Sequence, residues 1–449
     1  MAEERKNGIR WLPAVFMDNF GLNRILAVAA SVAIVLIVAL AVVWFFQSAP
    51  PRVITITSGP PGSSFERAAL WYRTNLAQSG VTVNILNSQG SQENLRRLAD
   101  PSSRVDVGFV QSGSSNILSA AEYERVDSLG SVAYQPLLIF YRGPTRGLLS
   151  QFKGQKLVIG PPGSGTRALA MTLLETNGLS SNLVSLVDLD PAAAAQGLRD
   201  GSLDALFLMG DSATPAVMRD LLHDTNISLF DFSQADAYTR RLPFLNKLMF
   251  PKGAIDFGRN VPSHDVTLIG PTVDLLARKK LHPALCDLVL EAAGLYHGKP
   301  SLMQRKNEFP AALEHDFPLS AEAARFYKTG KSFTYRYLPF RLASLVNRFV
   351  VAFVPMLVVL IPGMRLIPAL LRLRMRIRLF RWYRALMAID RDLLAGADIS
   401  RRDELSARLD EIETVVNKMK VPASFADQFY VLRQHIDFVR ARLPARAEA

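Results

Sequence analysis

Three short loops rich in glycine and serine carry the groups with which this sequence could do chemistry. They read SGPPGSS at 58–64, QGSQEN at 89–94 and GPPGSGTR at 160–167. Each follows a β-rich run and leads into an amphipathic one, which predicts a turn from a strand into a helix N-terminus. Free amides and the positive end of a helix favour an anion. Arg167 adds a guanidinium that can clamp a carboxylate. We therefore expect an anion-binding site at these loops.

The third loop also resembles a phosphate-binding loop, because Gly160 and Gly165 have the spacing of that motif. However, Thr166 stands where the motif requires lysine, and Arg167 stands where it requires a magnesium-binding hydroxyl. Both chemical parts are missing, which disfavours nucleotide hydrolysis. A tight turn without any ligand is the other interpretation of a single loop of this kind. Three such loops on successive strand–helix units favour a binding site.

Signals for catalysis are weak. Ser63, Ser64 and Ser164 are candidate nucleophiles, but no G-x-S-x-G elbow is present. His264 precedes an aspartate, and only geometry can establish a triad. Cys286 is the single cysteine and the histidines are scattered, so we predict no disulfide, no metal site and no cofactor. We predict a protein that is not an enzyme, with a serine hydrolase as the remaining catalytic alternative.

The elements that must position these loops alternate between strands and helices, which predicts βαβ units and a mainly parallel sheet. Some 290 residues are many for one such sheet, so we expect two lobes. Amphipathic helices begin near Ser91, Ser112, Gly165, Pro191 and Ser212. The strand candidates are 53–57, 81–86, 105–110, 137–141, 156–159, 204–209 and 266–269.

Five segments follow one another in a characteristic order. They are the loop at 57–65, GSQENL at 90–95, DVGFVQS at 106–112, FKGQK at 152–156 with PGSGTR at 162–167, and GSLDA at 201–205. In this order they resemble the TAXI family of solute-binding proteins of TRAP-type transporters, over residues 52–320.

The resemblance implies an α/β, two-lobed, periplasmic-binding-protein-like domain of type II, which closes on a small organic anion such as a dicarboxylate or a glutamate-like acid. It also implies TRAP-type permease subunits as partners, and no catalysis. Residues at the family's motif positions would contact the ligand. They are Gly62, Ser63, Ser64, Asn94, Gln111, Ser112, Ser164, Gly165, Thr166 and Arg167.

Two apolar segments are long enough to cross a membrane, at 25–46 and 342–364. The first has no charge over twenty-two residues, enough for a hydrocarbon core of roughly 30 Å. A cleaved signal peptide is the alternative for it, but its apolar region would be shorter. A buried core helix is the alternative for the second, which contains Pro355 and Pro362.

A dense run of arginines at 365–384 follows the second segment, so much of the net charge of +12 is local. Basic residues flank the cytoplasmic side of membrane spans. We therefore predict a two-span protein of the bacterial inner membrane, with 1–24 cytoplasmic, 52–335 extracytoplasmic and the C-terminus cytoplasmic. RNA is a possible partner for the basic run, but its place beside a span favours anionic lipid. No nucleic-acid partner is predicted.

The tail at 385–449 has apolar residues at alternating spacings of four and three. This spacing predicts a cytoplasmic helical hairpin or a self-associating short coiled coil. A solute carrier has no need of such a tail. A transmembrane receptor that signals through the tail is therefore the alternative to a role in uptake.

Overall fold

The computed structural model describes residues 24–47, 50–313, 316–331, 333–338, 340–394, 402–419, 421 and 425–443. The predicted cytoplasmic segment 1–24 lies outside this part, apart from its last residue. The chain divides into two compact units. One is Pro50–Val346, and the other joins Met1–Ala49 to Asn347–Ala449.

The strands of the first unit alternate with helices, as the sequence predicts. They are β1 (Val53–Thr57), β2 (Thr82–Leu86), β3 (Val107–Gln111), β4 (Val126–Tyr134), β5 (Leu138–Tyr141), β6 (Lys156–Val158), β7 (Ser185–Leu186), β8 (Ala205–Leu208), β9 (Ser228–Leu229), β10 (Leu245–Phe250) and β11 (Val266–Arg278).

Helices of both units are numbered together along the chain. They are α1 (Arg24–Gln47), α2 (Ser64–Gln78), α3 (Ser91–Ala99), α4 (Ala120–Tyr123), α5 (Gly165–Thr176), α6 (Pro191–Asp200), α7 (Pro215–Leu222), α8 (Ala235–Arg241), α9 (Pro283–His297), α10 (Ala321–Thr329), α11 (Phe333–Tyr337), α12 (Phe340–Leu394), α13 (Arg402–Asn417) and α14 (Ala426–Ala441).

The first unit has two lobes, each built on its own sheet. In lobe 1 the order is β2-β1-β3-β11-β4, and in lobe 2 it is β7-β6-β8-β5-β9. Each lobe packs its own apolar core: Ile54, Tyr72 and Phe109 are buried in lobe 1, and Phe152 and Phe207 in lobe 2. The predicted two-lobed α/β domain is therefore present.

The prediction of mainly parallel sheets is wrong in both lobes. β1, β2 and β3 are parallel, but β11 is antiparallel to β3 and β4, and β5 is antiparallel to β8 and β9. The cause is the pair of chain segments that pass between the lobes. One passes from β4 to β5. The other is β11, which pairs with β10 through its first half and with lobe 1 through its second. Sequence reasoning found only the start of β11 and missed β4 and β10.

Local signals explain where the main helices begin. Ser63 and Ser164 have extended backbones, and their side chains accept hydrogen bonds from the amides of Glu66 and Arg167, which caps α2 and α5. Pro191 stands at the first position of α6, where its missing amide costs nothing. The helix expected near Ser112 is only a short 3₁₀ turn, Ser115–Ile117.

The apolar part of α12 is the one candidate membrane span among the described residues. Leu342–Gly363 has a mean hydropathy of 2.2 over its most apolar window, and 12% of that window is buried. A core helix would be mostly buried, which argues against that alternative. In α1 the apolar stretch with described side chains, Ser31–Gln47, is shorter than a span. The first span therefore stays a prediction, and the described structure supports one candidate where the sequence predicted two.

The apolar repeat of the tail forms the core of a small helical bundle. Leu409 and Val416 of α13 pack with Leu432 and Ile436 of α14. Leu386 of α12 joins the same cluster. A third helix therefore completes the packing that the sequence suggested for a two-helix hairpin.

Candidate functional site

The three glycine- and serine-rich loops meet at one place, the turn that follows β8 in lobe 2. Ser64, the first residue of α2 in lobe 1, donates from its amide and its hydroxyl to the carbonyl oxygen of Gly210, at 2.8 and 2.6 Å. The N-termini of α3 and α5 reach the next residue, Asp211. Helix N-termini from both lobes thus converge on two consecutive residues.

Asp211 is the centre of this arrangement, and its side chain is fully buried. Its carboxylate accepts from the Gly165 amide at 2.7 Å and from the Thr166 hydroxyl at 2.7 Å. The Ser91 amide also donates to it, and the Ser212 hydroxyl lies beside it, 2.8 Å from the Thr166 hydroxyl. Burial raises the pKa of Asp211 above its usual value, and these donors oppose the rise. Hydrogen-bond donors from both lobes therefore take the place of water around this carboxylate.

Gly90 lets α3 approach this carboxylate. Its φ of 132° lies in a region that side chains disfavour. A Cβ at this position would lie 2.7 Å from Oδ2 of Asp211 and 3.1 Å from Cα of Ser164. The glycine of the second loop therefore allows the backbones of the two lobes to touch. The Glu93 amide donates to the Gly163 carbonyl at 3.1 Å across the same boundary. The structure is that of a closed two-lobed domain.

Gln135 fixes the turn from the segment between β4 and β5. With its amide oriented so that the oxygen faces the donors, it accepts from the backbone amides of Gly210 and Asp211, each at 2.6 Å. The side chain is buried. A residue in one passage between the lobes therefore supports the turn that both lobes bind.

Gly62, Ser63 and Ser164 lie at the helix N-termini, as predicted, but their polar groups have internal roles. The Gly62 amide donates to the Glu66 carboxylate at 2.6 Å. The Ser164 hydroxyl donates to the Pro161 carbonyl at 2.7 Å, besides capping α5. His264 is exposed and contacts its neighbour Ser263, so the described residues do not bring it to these serines. The hydrolase alternative gains no support from this geometry.

Asn94 lies in α3, Gln111 ends β3 and Ser112 follows it, and all three are buried in lobe 1. The Asn94 amide donates to the carbonyls of Ser58 and Phe109, and its oxygen accepts from the Thr57 hydroxyl. It therefore ties the ends of β1 and β3 together.

Gln111 and Ser112 differ in position. The Gln111 side chain packs directly on Gly165 of lobe 2, so it lies at the boundary between the lobes. The Ser112 hydroxyl bonds Thr272 at 2.8 Å and Asp274 at 2.9 Å, both on β11. Of the two, Gln111 is the one placed at the boundary, whereas Ser112 supports the strand that links the lobes.

Arg167 is not aimed at the Asp211 turn. Its guanidinium forms an ion pair with Asp188 and donates to the Gly160 carbonyl at 3.2 Å, both in lobe 2. About a quarter of its side chain, 26%, is exposed. The expected clamp on a ligand carboxylate is thus engaged by a carboxylate of its own lobe.

Sequence reasoning missed Asp211 and Gln135. The signal for Asp211 was available, because GDSAT at 210–214 directly follows a predicted strand. Ligand sites in α/β sheets lie beyond the carboxyl ends of strands, so this fourth loop met the same criterion as the other three. Nothing local marks Gln135, whose role depends on the passage between the lobes.

The fold and this site define a class: two α/β lobes of the type II order, linked by two passages, with helix N-termini meeting at the boundary. This is the architecture of the periplasmic solute-binding proteins. The chain belongs to the NMT1-like family, which matches residues 66–328, more than half of its length. The narrower resemblance to the TAXI family stays a prediction.

Several solved structures also resemble the chain. A protein from Bordetella bronchiseptica RB50 is 17% identical, with a TM-score of 0.36, over 54% of this chain and 71% of that one. The periplasmic aliphatic sulphonate-binding protein SsuA from Escherichia coli is 14% identical, with a TM-score of 0.34, over 55% and 70%. An ancestral arginine-binding protein is 14% identical, with a TM-score of 0.34, over 55% and 92%. Similarities of this size define neither a ligand nor a partner for this chain.

Proposed function

We propose that this protein is a membrane-held receptor that captures a small organic acid between its two lobes. The observation that carries the proposal is the Asp211 carboxylate, which accepts hydrogen bonds from backbone amides at helix N-termini of both lobes. A position that holds a buried carboxylate by backbone amides and hydroxyls is chemically suited to the carboxylate of a solute.

Closure follows from the same geometry. The donors come from Ser91 in lobe 1 and from Gly165 and Thr166 in lobe 2. An acid bound to one lobe alone would satisfy only part of them, so bringing the lobes together adds donors to the bound anion. A dicarboxylate or a glutamate-like acid has a second charged group for the surrounding amides. Delivery to a TRAP-type permease is the role that the TAXI resemblance suggests.

The full-length chain in detergent, titrated with a panel of dicarboxylates and amino acids, tests the proposal. We expect one class of acid to raise the melting temperature saturably, because a ligand at ten times its Kd stabilises the folded state by about 1.4 kcal/mol. Thr166→Val removes one hydroxyl donor at nearly equal volume and should weaken binding about tenfold. Thr172→Val in the same helix, whose hydroxyl bonds the Ala168 carbonyl, is the matched control.

A panel in which no acid stabilises the protein would refute the proposal. Spin labels in α13 and α14, measured with and without the identified acid, separate uptake from signalling. A signalling role requires a ligand-dependent change in the tail, whereas uptake does not. α12 is one continuous helix from Phe340 to Leu394, the last helix before α13.

We further propose that residues 342–364 cross the bacterial inner membrane, with 25–46 as a second span. The binding domain would then be extracytoplasmic, and the arginines at 365–384 would face anionic lipid on the cytoplasmic side. Arg374, Arg376 and Arg378 are exposed on α12, which supports a lipid contact. Phosphatase and fluorescent reporters fused after residue 200 and at the C-terminus should report opposite sides. A cytoplasmic residue 200 would contradict this topology.

A further inference from the structure

Asp211 occupies the carboxylate position that the proposed function assigns to a solute. Its oxygens accept from the Gly165 amide and the Thr166 hydroxyl, each at 2.7 Å, and the Ser91 amide of lobe 1 also donates to them. These three donors are therefore engaged by a group that belongs to the chain.

The turn that presents Asp211 is itself held from both lobes. Ser64 of lobe 1 donates twice to the Gly210 carbonyl, and Gln135 accepts from the amides of Gly210 and Asp211. The side chain of Asp211 is fully buried. These contacts fix the position of the carboxylate, and they join lobe 1 to lobe 2.

We propose that Asp211 is a tethered ligand: its carboxylate fills the anion position and holds the two lobes closed. This inference rests on the proposed function for the identity of the site, and it adds how that site is controlled. A solute acid binds only by displacing Asp211. The tether therefore raises the solute concentration that binding requires, because the attached carboxylate competes with the solute at a high effective concentration. It also makes the closed form a resting state of the domain.

Removal of the tether provides the test, using the full-length chain. Asp211→Ala keeps Cβ and removes one carboxyl group, so it leaves the donors unpaired and a space for a one-carbon acid. We expect its melting temperature to fall by several degrees. Sodium formate should restore the loss saturably, acetate less well and propionate not at all, against sodium chloride at equal ionic strength.

Two variants complete the design. Asp211→Asn has nearly the wild-type volume, but its amide hydrogens face the donors, so we expect a lowered melting temperature that formate does not restore. It also decides the matter if the alanine variant does not fold. Asp220→Asn, on the exposed face of α7, should behave as wild type. Wild-type stability in the asparagine variant, or an equal effect of formate on wild type and Asp211→Ala, would overturn the inference.

The outcomes also separate this inference from the proposed function. Rescue of Asp211→Ala by formate, with no larger acid bound by any variant, would support the tether and refute solute capture. Acid binding by the wild type, with no loss of stability in Asp211→Ala, would refute the tether and leave solute capture standing.

Discussion

Replacing His297 with phenylalanine is expected to remove much of the acid sensitivity of the binding domain. His297 ends α9 in lobe 1, where its ring contacts Tyr72, Phe109 and Tyr296. Its Nε2 is buried and makes no hydrogen bond within the described residues. Burial lowers the pKa of His297 to about 3 from the ordinary value of 6.5.

The direction in which stability changes with pH follows from the two pKa values. Below pH 6.5 the unfolded chain binds a proton at this histidine, whereas the folded chain does not until the pH nears 3. The contribution of neutral His297 to the free energy of unfolding is therefore present above pH 6.5 and is lost as the pH falls towards 3. The total is at most about 5 kcal/mol, since one pKa unit corresponds to about 1.36 kcal/mol. About 2 kcal/mol of it should be lost at pH 5.

Phenylalanine keeps an aromatic ring among these neighbours and cannot titrate. Thermal and urea unfolding between pH 8 and pH 4 should show a smaller loss of stability for His297→Phe than for wild type, with similar stability at pH 8. His264→Gln, at an exposed position, should retain the wild-type profile. Parallel pH profiles for wild type and His297→Phe would contradict this account.

Alanine at Gly270 is expected to destabilise the passage between the lobes by about 3 kcal/mol, the upper part of the usual range for overpacking. Gly270 lies in β11, against the segment between β4 and β5. A Cβ there would overlap the Gln135 carbonyl oxygen and would lie 2.8 Å from the carbonyl carbon and 2.9 Å from Cα of Pro136. These are backbone atoms, so no change of rotamer relieves the contact.

The melting temperature of Gly270→Ala should fall by several degrees. Gly147→Ala is the matched control, because a Cβ at Gly147 meets nothing within 4 Å and its φ is not positive. The displaced segment carries Gln135, so we also expect weaker closure, seen as a larger distance between spin labels on the two lobes. A variant as stable as the Gly147 control would show that β11 has room to move here.

The placement of the glycine- and serine-rich loops at helix N-termini could be predicted from the sequence, for a clear reason. The local sequence predicts the positions of Ser63, Ser164 and Gly165, because a helix cap and a glycine turn depend on a few consecutive residues. Arg167 illustrates the opposite case. An arginine at this position suggested a clamp on a ligand carboxylate. Its partner is Asp188, twenty-one residues further along the chain, and only the folded structure shows which carboxylate it contacts.

The sequence by itself determined the alternation of strands and helices, the two lobes, the three loops and the apolar repeat of the tail. These features depend on short-range periodicity and on residue types that favour one local conformation. Only the tertiary structure decided that β11 runs antiparallel through both lobes, that α12 joins the tail bundle and that Asp211 lies on the helix N-termini. Each of these is a contact between residues far apart in the chain, and its free energy depends on packing and desolvation that no local pattern encodes.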